Sequence, residues 1–241
     1  MRNFLSLLLI GLSTTVFAND TASSVKASSS STKSAAGTAN ANATLIVKIS
    51  PCEINSPCST IRDTTQQVMD IINNPDHKND AVAKVTAITV PKFDFRLMTK
   101  YALGSNWKLA TTAQQEELVS LFQNLLIYTY SSAISKFKSA KFTLISEATK
   151  ELGSGTDKST ATVISQVLLN NNGANAQPVK VEYDLVRYNN KPWMAYDIKI
   201  EDASLVTTYR NQFNDVVTSS KIDGLIKQLK TKIASLTTKA N

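Results

Sequence analysis

Residues 179–200 read VKVEYDLVRYNNKPWMAYDIKI, and they constrain the fold more than any other stretch of the chain. Apolar and aromatic residues alternate with polar ones on both sides of Asn189-Asn190. Period-two alternation places one set of side chains on one face of a strand. An Asn pair tolerates the positive φ of a two-residue type I′ turn. The sequence therefore predicts an antiparallel hairpin, Val179–Arg187 against Lys191–Ile200. With that turn Leu185 faces Met194, Tyr183 faces Tyr196, Val181 faces Ile198 and Val179 faces Ile200. A slip of one residue would expose the whole apolar face, so the register is expected to be firm. The opposite face carries Lys180, Glu182, Asp184, Asp197 and Lys199, with Val186 against Trp193 and Glu182 opposite Asp197.

Helices surround this hairpin in the chain. The spacing predicts helices over Ser59–Asn74 (Ile61, Val68, Ile71 and Ile72 apolar, then Asn-Pro), Asp80–Ile88 and Phe93–Leu103, the last closed by Gly104. Thr111 or Thr112, with Gln114 or Gln115 three residues on, forms a capping box for the longest helix. That helix runs to about Phe137 with Leu118, Phe122, Leu125, Leu126 and Thr129 as its stripe. Lys141–Ala148 and Thr160–Leu169 read as strands, with turns at Gly153–Gly155 and Asn170–Gly173. Two helices end the chain, about Ser204–Ser219 and Asp223–Leu236. Helices, then an antiparallel sheet, then helices again is an α+β layout, a curved sheet closed by helices.

The beginning of the chain sets its compartment. Arg2 precedes the apolar run Phe4–Val16, and Val16-Phe17-Ala18 places small residues where a signal peptidase reads. The run is shorter than the ~20 residues needed to span a bilayer. A signal peptide over residues 1–18, an exported protein without a lipoprotein cysteine and a periplasmic location are the expectations. In residues 19–43, 17 of 25 are Ala, Ser or Thr and none is aromatic, which predicts a flexible Ser/Ala-rich linker. Residues 44–241 make one domain, large enough for an internal cavity. The formal charge of +7 falls to +6 when residues 1–18, which hold Arg2 and no acid, are removed. That balance suits anionic lipid surfaces or acidic proteins; without a basic cluster in an exported chain, nucleic acid is not expected. Cys52 and Cys58 in PCEINSPC predict a small disulfide loop.

Catalytic equipment is sparse. The single His, His77, sits in the polar stretch NNPDHKND, and no G-x-S-x-G, H-E-x-x-H or phosphate-loop motif occurs. No catalytic residue, metal site or cofactor is expected. Asp94, Glu201 and Asp202 stand at helix starts, where acids complement the helix dipole. Aromatic residues cluster on inward faces, and periodicity alone leaves open whether they fill a core or line a cavity.

Two stretches carry a resemblance: FDFRLMTKYALGSNWKLATTAQQEELVSLFQNLLIYTY, and WMAYDIKIEDASLVTTYRNQF followed by IDGLIKQLK. In these the chain resembles the MlaC family of periplasmic phospholipid carriers (toluene-tolerance, or ABC-transporter auxiliary, proteins) over roughly Pro91–Leu236. Trp193, Tyr196-Asp197, Glu201, Ser204, Arg210, Phe213 and Ile222–Leu225 stand where the family has them. Asp202 departs from the usual Gly, though Asp tolerates left-handed φ better than most residues. The resemblance implies an NTF2-like curved sheet with a deep apolar pocket. It implies phospholipid as cargo, shuttled between an outer-membrane MlaA-like lipoprotein with its porin and the MlaD-like MCE subunit of an inner-membrane ABC transporter. Outer-membrane lipid asymmetry would be maintained in this way. The residues expected to hold lipid are Leu97, Tyr101, Phe122, Leu125, Val181, Tyr183, Tyr196, Ile198, Val206, Tyr209 and Phe213. Glu201 and Ser204 would fix the strand-to-helix corner, and Arg210 would pair with Asp197 or Glu201, the preferred reading, or meet a lipid phosphate. Two other classes compete: an NTF2-like isomerase or hydrolase with Asp184 or Asp197 turned into the pocket beside a Tyr, and a non-catalytic interaction module without a cavity.

Overall fold

The computed structural model describes residues 47–48, 52–77, 79–131, 133–151, 157–169, 177–189 and 191–240. The expected signal peptide, the linker and the turns at Gly153–Gly155 and Asn170–Gly173 lie outside the described residues. Six strands form one antiparallel sheet in sequential order: β1 (Val47–Lys48), β2 (Lys141–Glu151), β3 (Lys158–Leu168), β4 (Val179–Tyr188), β5 (Met194–Ile200) and β6 (Ala203–Ser204). Five helices accompany it: α1 (Pro57–Asn73), α2 (Ala81–Thr89), α3 (Phe95–Leu103), α4 (Thr112–Ser131) and α5 (Leu205–Ala240). Helix α1 lies against β2 and β3, whereas α3 and α5 lie against β5.

The helix ends follow from local chemistry. Ser59 N donates to Ser56 Oγ at 3.0 Å to start α1, and Leu97 N donates to Asp94 Oδ1 at 2.8 Å to start α3. At α4 the capping box is reciprocal: Thr111 N donates to Gln114 Oε1 at 2.9 Å, and Gln114 N to Thr111 Oγ1 at 3.2 Å. Gly104 ends α3 with φ +56°, a left-handed conformation that costs glycine little. Helix α4 stops at Ser131 instead of reaching Phe137, and a 3-10 turn occupies Ile134–Phe137. The run Tyr128-Thr129-Tyr130-Ser131 is poor in strong helix formers, so little local preference carries the helix onward.

Helix α5 is two helices meeting at Lys221, whose φ of 60° and ψ of −172° are not helical. A Cβ on Gly224 would stand 2.3 Å from the Cβ of Ser220. Only glycine permits the second half of α5 to start that close to the first.

The hairpin exists, but its register departs from the expected one. Lys191 N donates to Tyr188 O at 2.8 Å, closing the turn as predicted, and Asn189 has φ 47°. From there the pairing slips twice. Val186 opposes Met194 and Leu185 opposes Ala195, a shift of one; Asp184 opposes Asp197, Tyr183 opposes Ile198 and Val181 opposes Ile200, a shift of two. Each slip inserts one extra residue on the β5 side and reverses the faces. Met194 and Tyr196 thus leave the face they were expected to share with Tyr183, whereas Ile198 and Ile200 return to it. Trp193, expected on the wet face, is buried among Ile61, Ala161, Val163 and Leu185, with Arg187 4.7 Å above its ring.

Beyond the reach of β6, Asp94 N donates to Ala195 O at 2.9 Å. This stitches the segment between α2 and α3 to β5. At the other end of β5, Glu201 (φ 48°) and Asp202 (φ 67°) form the two-residue turn into β6. Asp202 therefore adopts the left-handed conformation that the family usually assigns to Gly. The main apolar core lies among α3, α4 and α5, around Met98, Leu118, Phe122, Leu125, Phe213, Leu225 and Leu229.

Candidate functional site: an apolar cavity

A cavity of about 410 Å³ lies between the sheet and the first helices. Its sheet wall is Phe142, Val167, Val181, Tyr183, Leu185, Ala195, Ile198 and Ile200. Helix α1 contributes Ile61, Val68, Met69 and Ile72, and α2 contributes Val85. The C-terminal turn of α4 adds Leu126, Ile127 and Tyr130, and the segment beyond it adds Ile134 and Phe137. Among the described residues polar lining side chains are few: threonines on α1 and α2, Ser131, two tyrosines and a single charge, Lys92. Among the described residues no group of three or more His, Cys, Asp or Glu side chains could hold a metal, and no helix is long and apolar enough to cross a membrane.

Of the residues expected to hold lipid, Val181, Tyr183 and Ile198 line the cavity. Burial pushes the Tyr183 phenol above its ordinary pKa, with Ser165 opposing, so it stays neutral. The other eight lie elsewhere. Phe122, Leu125, Val206, Tyr209 and Phe213 belong to the helical core. The Phe122 ring lies 4.9 Å from Tyr209 and 5.3 Å from Phe213, in edge-to-face contact with each. Tyr101 and Tyr196 also pack against this core, with ring centroids 5.6 Å apart. Burial, with Asp184 nearby, pushes the Tyr196 phenol up to about 12. Leu97 sits in the first turn of α3, away from the cavity wall. The physical reason is common to most of the eight. Inward-facing residues on α3, α4 and α5 turn toward one another, and the double slip in β5 carries Tyr196 to their side of the sheet.

The cavity residues that sequence reasoning missed lie mainly on α1 and in the stretch from Val90 to Phe95 and beyond α4. The signal available was the apolar stripe Ile61, Val68 and Ile72 on a helix that the family resemblance did not cover. Cys52 and Cys58 form a disulfide with Cα atoms 5.5 Å apart, tying the segment before α1 to its first turn. Cys58 N donates to Glu147 Oε2 at 2.7 Å, holding that end of α1 to β2.

The conspicuous carboxylates serve the fold. Asp197 Oδ1 accepts Ile198 N at 2.9 Å, and Ser204 donates to Asp197 Oδ2. Burial raises the Asp197 pKa, although these hydrogen bonds oppose it. Asp184 accepts from Thr162 at 2.9 Å and pairs with Lys199 at 2.9 Å. Glu182 lies opposite Lys199, not Asp197, and pairs with it. Burial works against the Lys199 charge, but its hydrogen bonds to Glu182 and Asp184 prevail and raise its pKa. Neither Asp184 nor Asp197 lines the cavity. Glu201 Oε1 accepts Lys180 N at 2.6 Å, and Ser204 Oγ accepts Thr207 N at 2.9 Å, so both secure the corner as expected. Arg210 pairs with neither Asp197 nor Glu201. Its Nε donates to Tyr101 O at 2.7 Å, a cation on the carbonyl end of α3.

Comparison with known proteins places this geometry. The solved structure of a phospholipid-binding protein from Ralstonia solanacearum, in complex with a phospholipid at 1.53 Å resolution, superposes with a TM-score of 0.61. It shares 30% sequence identity, over 74% of this chain and 97% of that one. The likeness agrees with an α+β, NTF2-like arrangement of helices on a curved antiparallel sheet. The MlaC protein family profile matches residues 62–231, well over half of the 241 residues. This chain belongs to the MlaC family.

Proposed function

We propose that this protein is a non-enzymatic phospholipid carrier of the periplasm. One observation carries the reading: a cavity of about 410 Å³ whose wall is apolar except for a few hydroxyls and Lys92, in a chain of the MlaC family. A lipid with two acyl chains hides ~30 methylenes at roughly 0.8 kcal/mol each, so crossing water bare costs on the order of 20 kcal/mol. A carrier must cover the tails and can leave the head group wet. The proposed route runs between an MlaA-like outer-membrane lipoprotein with its porin and an MlaD-like MCE subunit of an inner-membrane ABC transporter, maintaining outer-membrane lipid asymmetry. Residues 1–18 would direct export, and residues 19–43 would be a flexible linker.

The experiment is direct. The protein is exported to the periplasm, purified without detergent, extracted with organic solvent and analysed by lipid mass spectrometry. Near-stoichiometric phospholipid is expected. Folded protein free of lipid would overturn the reading and favour an interaction module.

A further inference from the structure

We propose that Lys92, together with threonines that line the same cavity, is the site that binds the phosphodiester of the cargo and favours lipids of net negative charge. This rests on the reading of the cavity as a phospholipid site. Among the described residues that line it, Lys92 alone is charged. It is half-buried and makes no ion pair or hydrogen bond among the described residues. The nearest carboxylate in sequence, Asp94, is engaged elsewhere, accepting Leu97 N at 2.8 Å.

The position of Lys92 is built in. It lies in the 3-10 turn Val90–Lys92, closed by Phe93 N donating to Val90 O at 3.2 Å. The next residue's N–H, that of Asp94, is bonded to Ala195 O. Val90 and Phe93 on either side line the cavity too.

Hydroxyls and one ammonium interrupt an otherwise apolar lining. Thr64 and Thr65 on α1 and Thr86 on α2 line the cavity and are half-buried, and their hydroxyls make no hydrogen bond among the described residues. Three unengaged hydroxyl donors and one ammonium suit a phosphodiester, which offers acceptors and a charge. The sheet wall carries a single hydroxyl, that of Tyr183. Head group toward Lys92 with tails along the apolar lining is the orientation this polarity selects. A phosphodiester is common to all phospholipids, but a half-buried ammonium without a counterion among the described residues also discriminates net charge. Phosphatidylglycerol leaves its negative charge uncompensated, whereas phosphatidylethanolamine carries its own cation.

The test uses the full exported chain and its Lys92→Met, Lys92→Glu and Lys92→Arg variants. Each is equilibrated with vesicles of equal phosphatidylglycerol and phosphatidylethanolamine, reisolated, and its bound lipids are quantified. Wild type and Lys92→Arg are expected to be enriched in phosphatidylglycerol. Lys92→Met should lose that enrichment, and Lys92→Glu should lower the glycerol-to-ethanolamine ratio about fivefold relative to wild type, at unchanged total occupancy. The same ratio in Lys92→Met as in wild type overturns the proposal. If Lys92→Glu does not fold, Lys92→Met decides alone. Wild type that takes up no lipid overturns the lipid reading of the cavity instead. A second arm adds inorganic phosphate to delipidated protein: a Lys92-dependent phosphorus resonance shift would reassign the site to free phosphate and overturn the lipid assignment.

Discussion

Asp197 Oδ1 accepts the backbone N–H of Val206 at 3.0 Å, so a carboxylate on the last long strand caps the helix that follows it. Ser204, between them, donates to the same carboxylate and itself receives Thr207 N–H at 2.9 Å. The corner is thus a double cap, and the start of α5 is oriented by β5 itself. This gives the acid beside Tyr196 a structural role.

Asp197→Ala is expected to cost about 2–3 kcal/mol of stability, because the helix N–H of Val206, the strand N–H of Ile198 and the Ser204 hydroxyl lose a charged acceptor. The pH dependence has a definite sign. Burial raises the Asp197 pKa above its ordinary value, so the folded state holds this proton more tightly than the unfolded state does. As pH rises from the ordinary value through the raised one, this group's contribution to stability falls. Melting curves of wild type and Asp197→Asn across the acid range test this. Wild type should lose stability relative to the variant as pH rises, and parallel curves would reject the assignment.

Cavity wall and core should separate by mutation. Val181 lines the cavity, whereas Phe122 is fully buried among α3, α4 and α5. Val181→Asp places a charge on an apolar wall and should yield folded protein with most of its lipid lost. Phe122→Ala should lower stability by about 3–5 kcal/mol and leave lipid per folded molecule unchanged. Thermal melts paired with lipid mass spectrometry read both. An empty Phe122→Ala protein of native stability would show that the two regions are one.

Gly224 and Ser220 form a steric pair. Gly224→Ala brings its Cβ to 2.3 Å from the Ser220 Cβ, an overlap expected to cost about 1–3 kcal/mol. Ser220→Gly removes the opposing atom. The double variant should therefore be more stable than the sum of the two single changes indicates, a coupling measurable by a denaturant double-mutant cycle. Additive costs would show that the kink at Lys221 relaxes freely.

Elements whose causes are local could be read from the residues alone. The Asp94 cap, the Thr111–Gln114 box, Gly104 at the end of α3 and the Asn189 turn all depend on atoms a few positions apart. The α+β order followed from where period-two alternation replaces helical spacing. The Glu201-Asp202 corner and its Ser204 cap were likewise within reach of short-range chemistry.

Tertiary structure alone decided the register of β5 and the division between core and cavity. A bulge needs one extra residue opposite a partner strand, and nothing in the alternation of Met194, Tyr196, Ile198 and Ile200 marks where the count slips. Arg210 shows the same limit: its partner is the Tyr101 carbonyl, a backbone group that no pattern of charges reveals. Periodicity states that Phe122 and Tyr183 both face inward. Whether the facing surface is another side chain or open space depends on how far apart the elements carrying it are held. That distance is set by α1, α2 and the segment holding Lys92, which prop the sheet open over the cavity.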